Sequence, residues 1–239
     1  MVQDLARAGT PVCIHYRSSG DAARQTADAI NANGGKAAIV QADLLNDDEM
    51  ETLVARASNA LGLPLQVLVN SASLFQSDDV GTLKAALFHK HFAIHATASA
   101  LLADALVNQL PTNAEGMIVN VIDQRVWRLT PNFISYTASK VALWGLTQTL
   151  AQAYAQSTNG RVRVNAIGPG PTLSNERQDD ADFAKQVAGV PLHRGPKLDA
   201  FATTLAYLWQ MKAMTGQMIA LDGGQHLAWE TPDVAGINE

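Results

Sequence analysis

The run GMIVNVID, residues 116–123, decides the fold, because it is apolar almost from end to end and not on alternate positions only. That is how a strand reads when both faces of its sheet are covered. Five further runs share the character: PVCIHYR (11–17), KAAIVQADL (36–44), LQVLVNSA (65–72), VRVNAIG (162–168) and GQMIALD (216–222). The segments between them are long enough for crossover helices, read at 21–32, 47–60, 82–109, 133–156 and 198–211, with Asp21, Asn46 and Thr82 as caps. Strands alternating with helices predict an α/β fold, a doubly wound and mostly parallel sheet, in one domain spanning 1–239. Residues 174–197 form the most polar and least periodic stretch, read as a substrate lid or surface excursion following a strand.

Composition narrows the function. The chain has 239 residues, 47% of them hydrophobic, enough to line a single core without disulfide or metal support. Seventeen Lys and Arg stand against 22 Asp and Glu, a net charge of −5. No basic footprint is left for nucleic acid or an anionic membrane, either of which demands clustered cations. Cys13 is the only cysteine, which rules out an intrachain disulfide and an all-cysteine zinc site and suits a reducing compartment; its neighbours suggest an apolar filler. The start, MVQDLARAGT, has no apolar core of a leader peptide, and FAIHATASALLADALV (92–107) is interrupted by His95 and Asp104. A cytoplasmic protein without a spanning helix is expected. His89 and His91 lack a carboxylate or cysteine partner in the sequence, so no metal site is expected.

Within ISYTASKVALWGLTQTLAQAYA, Tyr136 and Lys140 stand four apart and share one helix face. An ammonium beside a phenol favours the phenolate, so the pair is expected to bring Tyr136 nearer neutrality as a proton donor and acceptor. Asp123 closes its strand thirteen residues earlier, at the carboxyl end, where open α/β sheets bind ligands. An acid, a phenol and an amine thus converge as candidate catalytic groups.

Here the sequence resembles the short-chain dehydrogenase/reductase family, over nearly its whole length. The resemblance rests on YxxxK at 136–140, QADL at 41–44, VNSAS at 69–73, RVNAIGPGPT at 163–172 and TGQMIALDGG at 215–224. Most members carry Ser where Asp123 stands; Asp at this spacing is similar to the pteridine reductase and dihydromonapterin reductase branch. Ser73, ending NSAS in place of NNAG, and Phe75, at the position that stacks a pterin ring in that branch, point the same way and are implied substrate contacts. His95 occupies the place of an active-site Asn that supports the lysine through water in many members; two readings stay open, an imidazole hydrogen bond that keeps this support or a satisfied helix-face histidine, and it is left outside the catalytic set.

The resemblance also implies an NADPH-dependent oxidoreductase. Arg17 and Ser18 would meet the 2′-phosphate, where an NAD-specific member usually places an acid. Asp43 and Leu44 would meet the adenine edge, Asn70, Ser71 and Ala72 would pass the adenosine ribose, and Pro169, Gly170 and Thr172 would flank the nicotinamide. Tyr136 and Lys140 would hold its ribose. Gly223 and Gly224 read as a tight turn only. Family members assemble as homodimers or homotetramers through helices corresponding to 82–109 and 133–156, where Leu143 and Trp144 serve such a face or the core. The expected substrate is a dihydropteridine-like or related carbonyl compound; a generic carbonyl or hydroxysteroid reductase and a family member without catalysis stay open, and Trp127 and Arg128 line either pocket or are surface residues.

One family element is not found. No GxxxGxG or GxGxxG occurs among the 17 glycines, and residues 2–9 align with the end of the family's first helix. The first strand and phosphate loop, on the order of 20 residues, are expected to be lacking, leaving two neighbouring strands with unpaired backbone groups. Three explanations stay open: a native chain that starts upstream of Met1, which the coherent catalytic set favours; another closure of the gap; or a relative that has lost its cofactor.

Overall fold

The computed structural model describes residues 1–174 and 179–228. A short helix α1 (Val2–Arg7) leads into strand β1 (Val12–Tyr16), helix α2 (Gly20–Ala32), strand β2 (Ala37–Gln41), helix α3 (Asp47–Leu61) and strand β3 (Val67–Asn70). Helix α4 (Ala85–Phe92) continues through a π-helical turn (Ala93–Thr97) into α5 (Ala98–Gln109), and strand β4 (Gly116–Val121) follows. Then come helix α6 (Ile134–Ser157), strand β5 (Val162–Pro169), helices α7 (Asp180–Ala188) and α8 (Leu198–Gln210), and strand β6 (Met218–Leu221). All six expected strands are present, and the five expected helical segments are helical.

The strands form two sheets. β1 pairs in parallel with β2, and β3, β4, β5 and β6 form a parallel sheet in that order. No strand among the described residues joins β1 to β3, the place of the family's first strand. The packing records the consequence: β4 and β5 are buried nearly throughout, whereas β3 leaves Val67 39% exposed. Registers bring Asn70, Asn120 and Ala166 into line, so the segments after β3, β4 and β5 emerge at one edge. Met117, Val119 and Ile167 pack on Leu205 and Leu208 of α8, while Ile118, Val162 and Val164 pack on Leu106 of α5 and Ala151 and Tyr154 of α6. Both faces of this sheet are therefore covered, which is why its strands could be read as continuous apolar runs.

Local chemistry corrects several expectations. Asn46 does cap α3, accepting from Glu49 N–H, but Ser19 and not Asp21 is the cap of α2. Thr82 caps nothing: its hydroxyl closes a turn on Asp79, and α4 begins after Lys84. The stretch 82–109 is not one continuous helix, because the π turn inserts a residue in the ladder and aims His95 inward. Within 174–197 the structure contains α7, capped by Asp179 and without a buried residue, so this polar stretch is partly regular; residues 175–178 lie outside the described part. Gly223 and Gly224, with φ of 65° and 84°, make the expected turn. Cys13 is half-buried against the core beside α3, and burial pushes its thiol up. No helix among the described residues is long and apolar enough to cross a membrane.

Candidate active site

The edge beyond β4 carries the candidate chemistry. Asp123 follows the strand in extended conformation, and its Oδ1 accepts the Arg125 N–H at 2.8 Å, capping a single 3₁₀ turn. Its Oδ2 accepts the Tyr136 hydroxyl at 3.0 Å. Tyr136 lies in the first turn of α6 and is buried; Lys140, one turn further, is buried too. The three residues singled out in the sequence therefore meet.

Their electrostatics differ from the expectation. Lys140 Nζ donates to the Val121 carbonyl at 2.9 Å and lies 5.7 Å from the centre of the Tyr136 ring. Burial pulls its pKa down to about 8, against the opposing pull of Asp123. Tyr136 is pushed well above its ordinary value, first by burial and then by the Asp123 charge and hydrogen bond, with Arg125 working the other way. The amine does not make this phenol more acidic. Burial and the carboxylate act together, and Tyr136 holds its proton as a neutral donor.

The wall beside the phenol is aromatic. Phe75 meets the Tyr136 ring edge-on at 4.7 Å, and Phe133 stacks on Phe75 at 4.4 Å with the planes 9° apart. Phe133 has φ 59°, a left-handed backbone that a bulky residue adopts only when its surroundings impose it. What imposes it is Asp78, buried in the loop after β3. The Asp78 carbonyl accepts from Phe133 N–H at 3.1 Å, and its carboxylate accepts from Ser135 N–H at 3.1 and 3.3 Å. Asp78 thus satisfies the first orphan amides of α6 from a distant position in the chain.

His95 is more than a face residue. Leu74 N–H can only donate, so His95 Nε2, at 3.1 Å, is the acceptor and the ring proton sits on Nδ1. Nδ1 meets Ser139 Oγ at 2.7 Å, and that hydroxyl donates to the Tyr136 carbonyl at 2.6 Å. The Ser73 hydroxyl also bonds Nε2, at 3.0 Å. One imidazole thereby fastens the segment 73–75 to the helix turn that carries the phenol. His91 lies parallel to it at 5.7 Å, its Nδ1 on Ser135 Oγ at 2.7 Å.

Burial, aided by Lys140 and His91, holds His95 down at about 2, so the folded chain keeps it neutral. An unfolded chain protonates it below about 6.5, and stability must fall as pH drops through that value, by up to about 1.4 kcal/mol per unit. Burial lowers His91 as well, in the same sense. We predict that urea unfolding between pH 6.5 and 4.5 costs the native chain about 2–3 kcal/mol more than it costs His95→Asn. Equal losses in the two proteins would contradict this assignment.

The remaining expected residues divide. Arg17 and Ser18 are exposed beyond β1, and Ser71, Ala72 and Ser73 are exposed beyond β3. Asn70 turns its amide inward, to Asn120 Oδ1 at 2.9 Å and the Ser99 carbonyl at 3.3 Å, so its side chain is engaged within the fold. Asp43 accepts from Leu45 N–H at 3.0 Å, while the Leu44 side chain is packed in the core and can present only backbone to a ligand. Pro169 ends β5, and Thr172 closes on the Gly170 carbonyl at 3.0 Å. Gly170 is a close approach: a Cβ there would lie 2.6 Å from the Asp222 Cα. Among the described residues, no three His, Cys, Asp or Glu are grouped to hold a metal ion.

Comparison with known proteins fixes the lineage. Residues 1–226 match the family model described as enoyl-(acyl carrier protein) reductase. The chain belongs to the short-chain dehydrogenase/reductase family. Among solved structures of this family, FolM alternative dihydrofolate reductase 1 from Brucella suis, crystallised in complex with NADP, is 53% identical. It superposes with a TM-score of 0.93, over 98% of this chain and 92% of that one. A blue fluorescent protein from a metagenomic library, solved with NADPH, is 26% identical with a TM-score of 0.82, over 93% of this chain and 90% of that one. An oxidoreductase of uncharacterized activity from Thermotoga maritima is 30% identical over 230 residues, 92% of this chain and 89% of its own. The short-chain dehydrogenase/reductase assignment makes the chain an oxidoreductase by descent.

Proposed function

We propose that this protein reduces a dihydropteridine-like C=N or a related carbonyl bond with NADPH. The observation that carries the reading is the Tyr136 hydroxyl bonded to Asp123 at 3.0 Å beside the Phe75 edge, a proton donor set against an aromatic wall. The likeness to a FolM alternative dihydrofolate reductase supports the substrate class, and its NADP complex supports the cofactor.

The donor set fits a dinucleotide at the nicotinamide end. Lys140 has three N–H donors and spends one on Val121, leaving others for ribose hydroxyls. At the opposite end, exposed Arg17 offers a guanidinium suited to a phosphate, next to the hydroxyl of Ser18. Ser71 and Ala72, with the backbone of Asn70, Asp43 and Leu44, border the crevice between, and Pro169, Gly170 and Thr172 bound it beyond β5. Bound there, the reduced nicotinamide would supply the hydride. Tyr136 supplies the proton to the nitrogen or oxygen of the reduced bond, and Asp123 orients the hydroxyl and keeps it protonated until substrate arrives. Phe75 and Ser73 stand beside the phenol, where a flat substrate would meet them. Self-association through α5 and α6 is also inferred, from the exposed Leu101 and Val141; Leu143 belongs to the core and Trp144 packs on Trp127.

The test is NADPH oxidation by the purified chain with a dihydropteridine, with the tetrahydro product identified. Consumption in step with product supports the reading, and a chain that binds NADPH yet reduces only simple ketones removes the substrate class. Asp123→Asn probes the proton. It keeps an acceptor oxygen but removes the charge that raises Tyr136, so the alkaline limb of the kcat profile moves to lower pH. An unmoved limb would separate Asp123 from the phenol.

A further inference from the structure

One cation at the site keeps two buried donors that no described residue accepts. Arg125 is held by its backbone to Asp123, and its guanidinium carbon lies 5.3 Å from the centre of the Phe133 ring and 6.0 Å from that of Tyr136. Among the described residues its Nε and Nη1, shut off from solvent, have no hydrogen-bond partner, and it takes part in no ion pair. The two rings contribute a cation–π attraction, yet that leaves the N–H donors unused. Buried donors on a cation are costly to leave unpaired, and folded proteins rarely do so. Because these two atoms are closed to solvent, the guanidinium would turn from the rings to meet an acceptor that arrives with the substrate beside the phenol.

The surroundings say which acceptor. Phe75, Phe133 and Tyr136 form an aromatic wall at close ring spacing, which suits a planar ring. Asp123 already brings a carboxylate to the phenol, so a second full negative charge would be repelled, whereas a carbonyl oxygen accepts from Arg125 without that penalty. We propose that Arg125 is a specificity-determining residue, donating to a carbonyl oxygen on the same planar ring whose double bond is reduced. This rests on the dihydropteridine-like reading and narrows it to oxo-substituted rings.

The test compares two probes, a 4-oxodihydropteridine and a 2,4-diaminopteridine in which an amino donor replaces that oxygen. Their equilibrium binding in the presence of NADP is measured for the native chain, Arg125→Met and Arg125→Lys. The native chain should prefer the oxo ring. Arg125→Met should weaken that ring about 10- to 100-fold, the scale of a charged hydrogen bond, and change the diamino ring by less than about threefold. Lys should restore part of the difference, and KM for the oxo ring should rise more than kcat falls. Equal losses for both rings, or none, overturn the assignment of Arg125 alone. A native chain that binds neither ring contradicts the pteridine reading and this inference with it. If Arg125→Met unfolds, as a thermal melt would show, Arg125→Lys decides by the same selectivity.

Discussion

Tyr136→Phe should lower kcat for NADPH-dependent reduction by on the order of 10² to 10⁴, the range that a positioned proton donor contributes. The ring itself is retained in this variant. Its contacts with Phe75, His91 and His95 are those of the aromatic body, so the packing survives while Asp123 loses the hydroxyl it accepts. Thermal unfolding and NADPH binding should therefore stay close to those of the native chain, and steady-state kinetics isolates the proton. A variant with undiminished kcat would show that the phenol is not the acid.

The largest effect on stability belongs to Arg163. This residue is 6% exposed on β5, and no carboxylate faces its guanidinium at ion-pair distance among the described residues. It donates instead to four carbonyls at and beyond the end of α8: Leu208 at 2.7 Å, Met211 at 3.0 Å, Met214 at 3.2 Å and Trp209 at 3.1 Å. Leu208 and Trp209 lie in the last turn of α8, where carbonyls lack an intrahelical donor, and Met211 and Met214 in the turn beyond it, so one cation stabilises the negative end of the helix and the segment that leaves it. Arg163→Met fills similar volume but removes every donor. We expect a loss of about 3–5 kcal/mol in chemical denaturation, since charged hydrogen bonds contribute about 1.5–3 kcal/mol each and water recovers only part. A loss under about 1 kcal/mol would mean that the carbonyls find other partners.

What could be read in advance, and what could not, follows the range of the interactions. The strands were legible because residues such as Ile118 and Val164 are buried on both sides of the sheet, which leaves an unbroken apolar run in the sequence. Asp123, Tyr136 and Lys140 were legible because a strand end and one helix turn fix their relation within a few residues. The electrostatic sign was not, since whether Lys140 or Asp123 governs the phenol depends on where Nζ points, and it points at Val121. Asp78 and His95 were hidden for a different reason. Asp78 completes α6 from 57 residues away, and His95 reaches Ser73 only because a π turn rotates it inward. No local pattern encodes either contact. Arg125 was overlooked because its importance lies in an unmet hydrogen-bonding need, visible only once burial is known.

The split between β1–β2 and β3–β6 bears on the same question. In this family the pyrophosphate is met by a glycine loop that the sequence does not contain, and among the described residues no strand bridges that split. The groups that would act on substrate lie beyond β4 and on α6, within the intact four-stranded sheet. The proton donor is thus built beside a four-stranded sheet, on the side of the division away from β1 and β2.

The most direct measurement is therefore one that follows the transferred atom. NADPH carrying deuterium at both C4 positions is incubated with the purified chain and a dihydropteridine, and the tetrahydro product is examined by mass spectrometry and NMR. The account predicts one deuterium on the ring carbon of the reduced C=N bond, delivered by the native chain and almost abolished in Tyr136→Phe. Unlabelled product, or equal labelling by the two proteins, would contradict it.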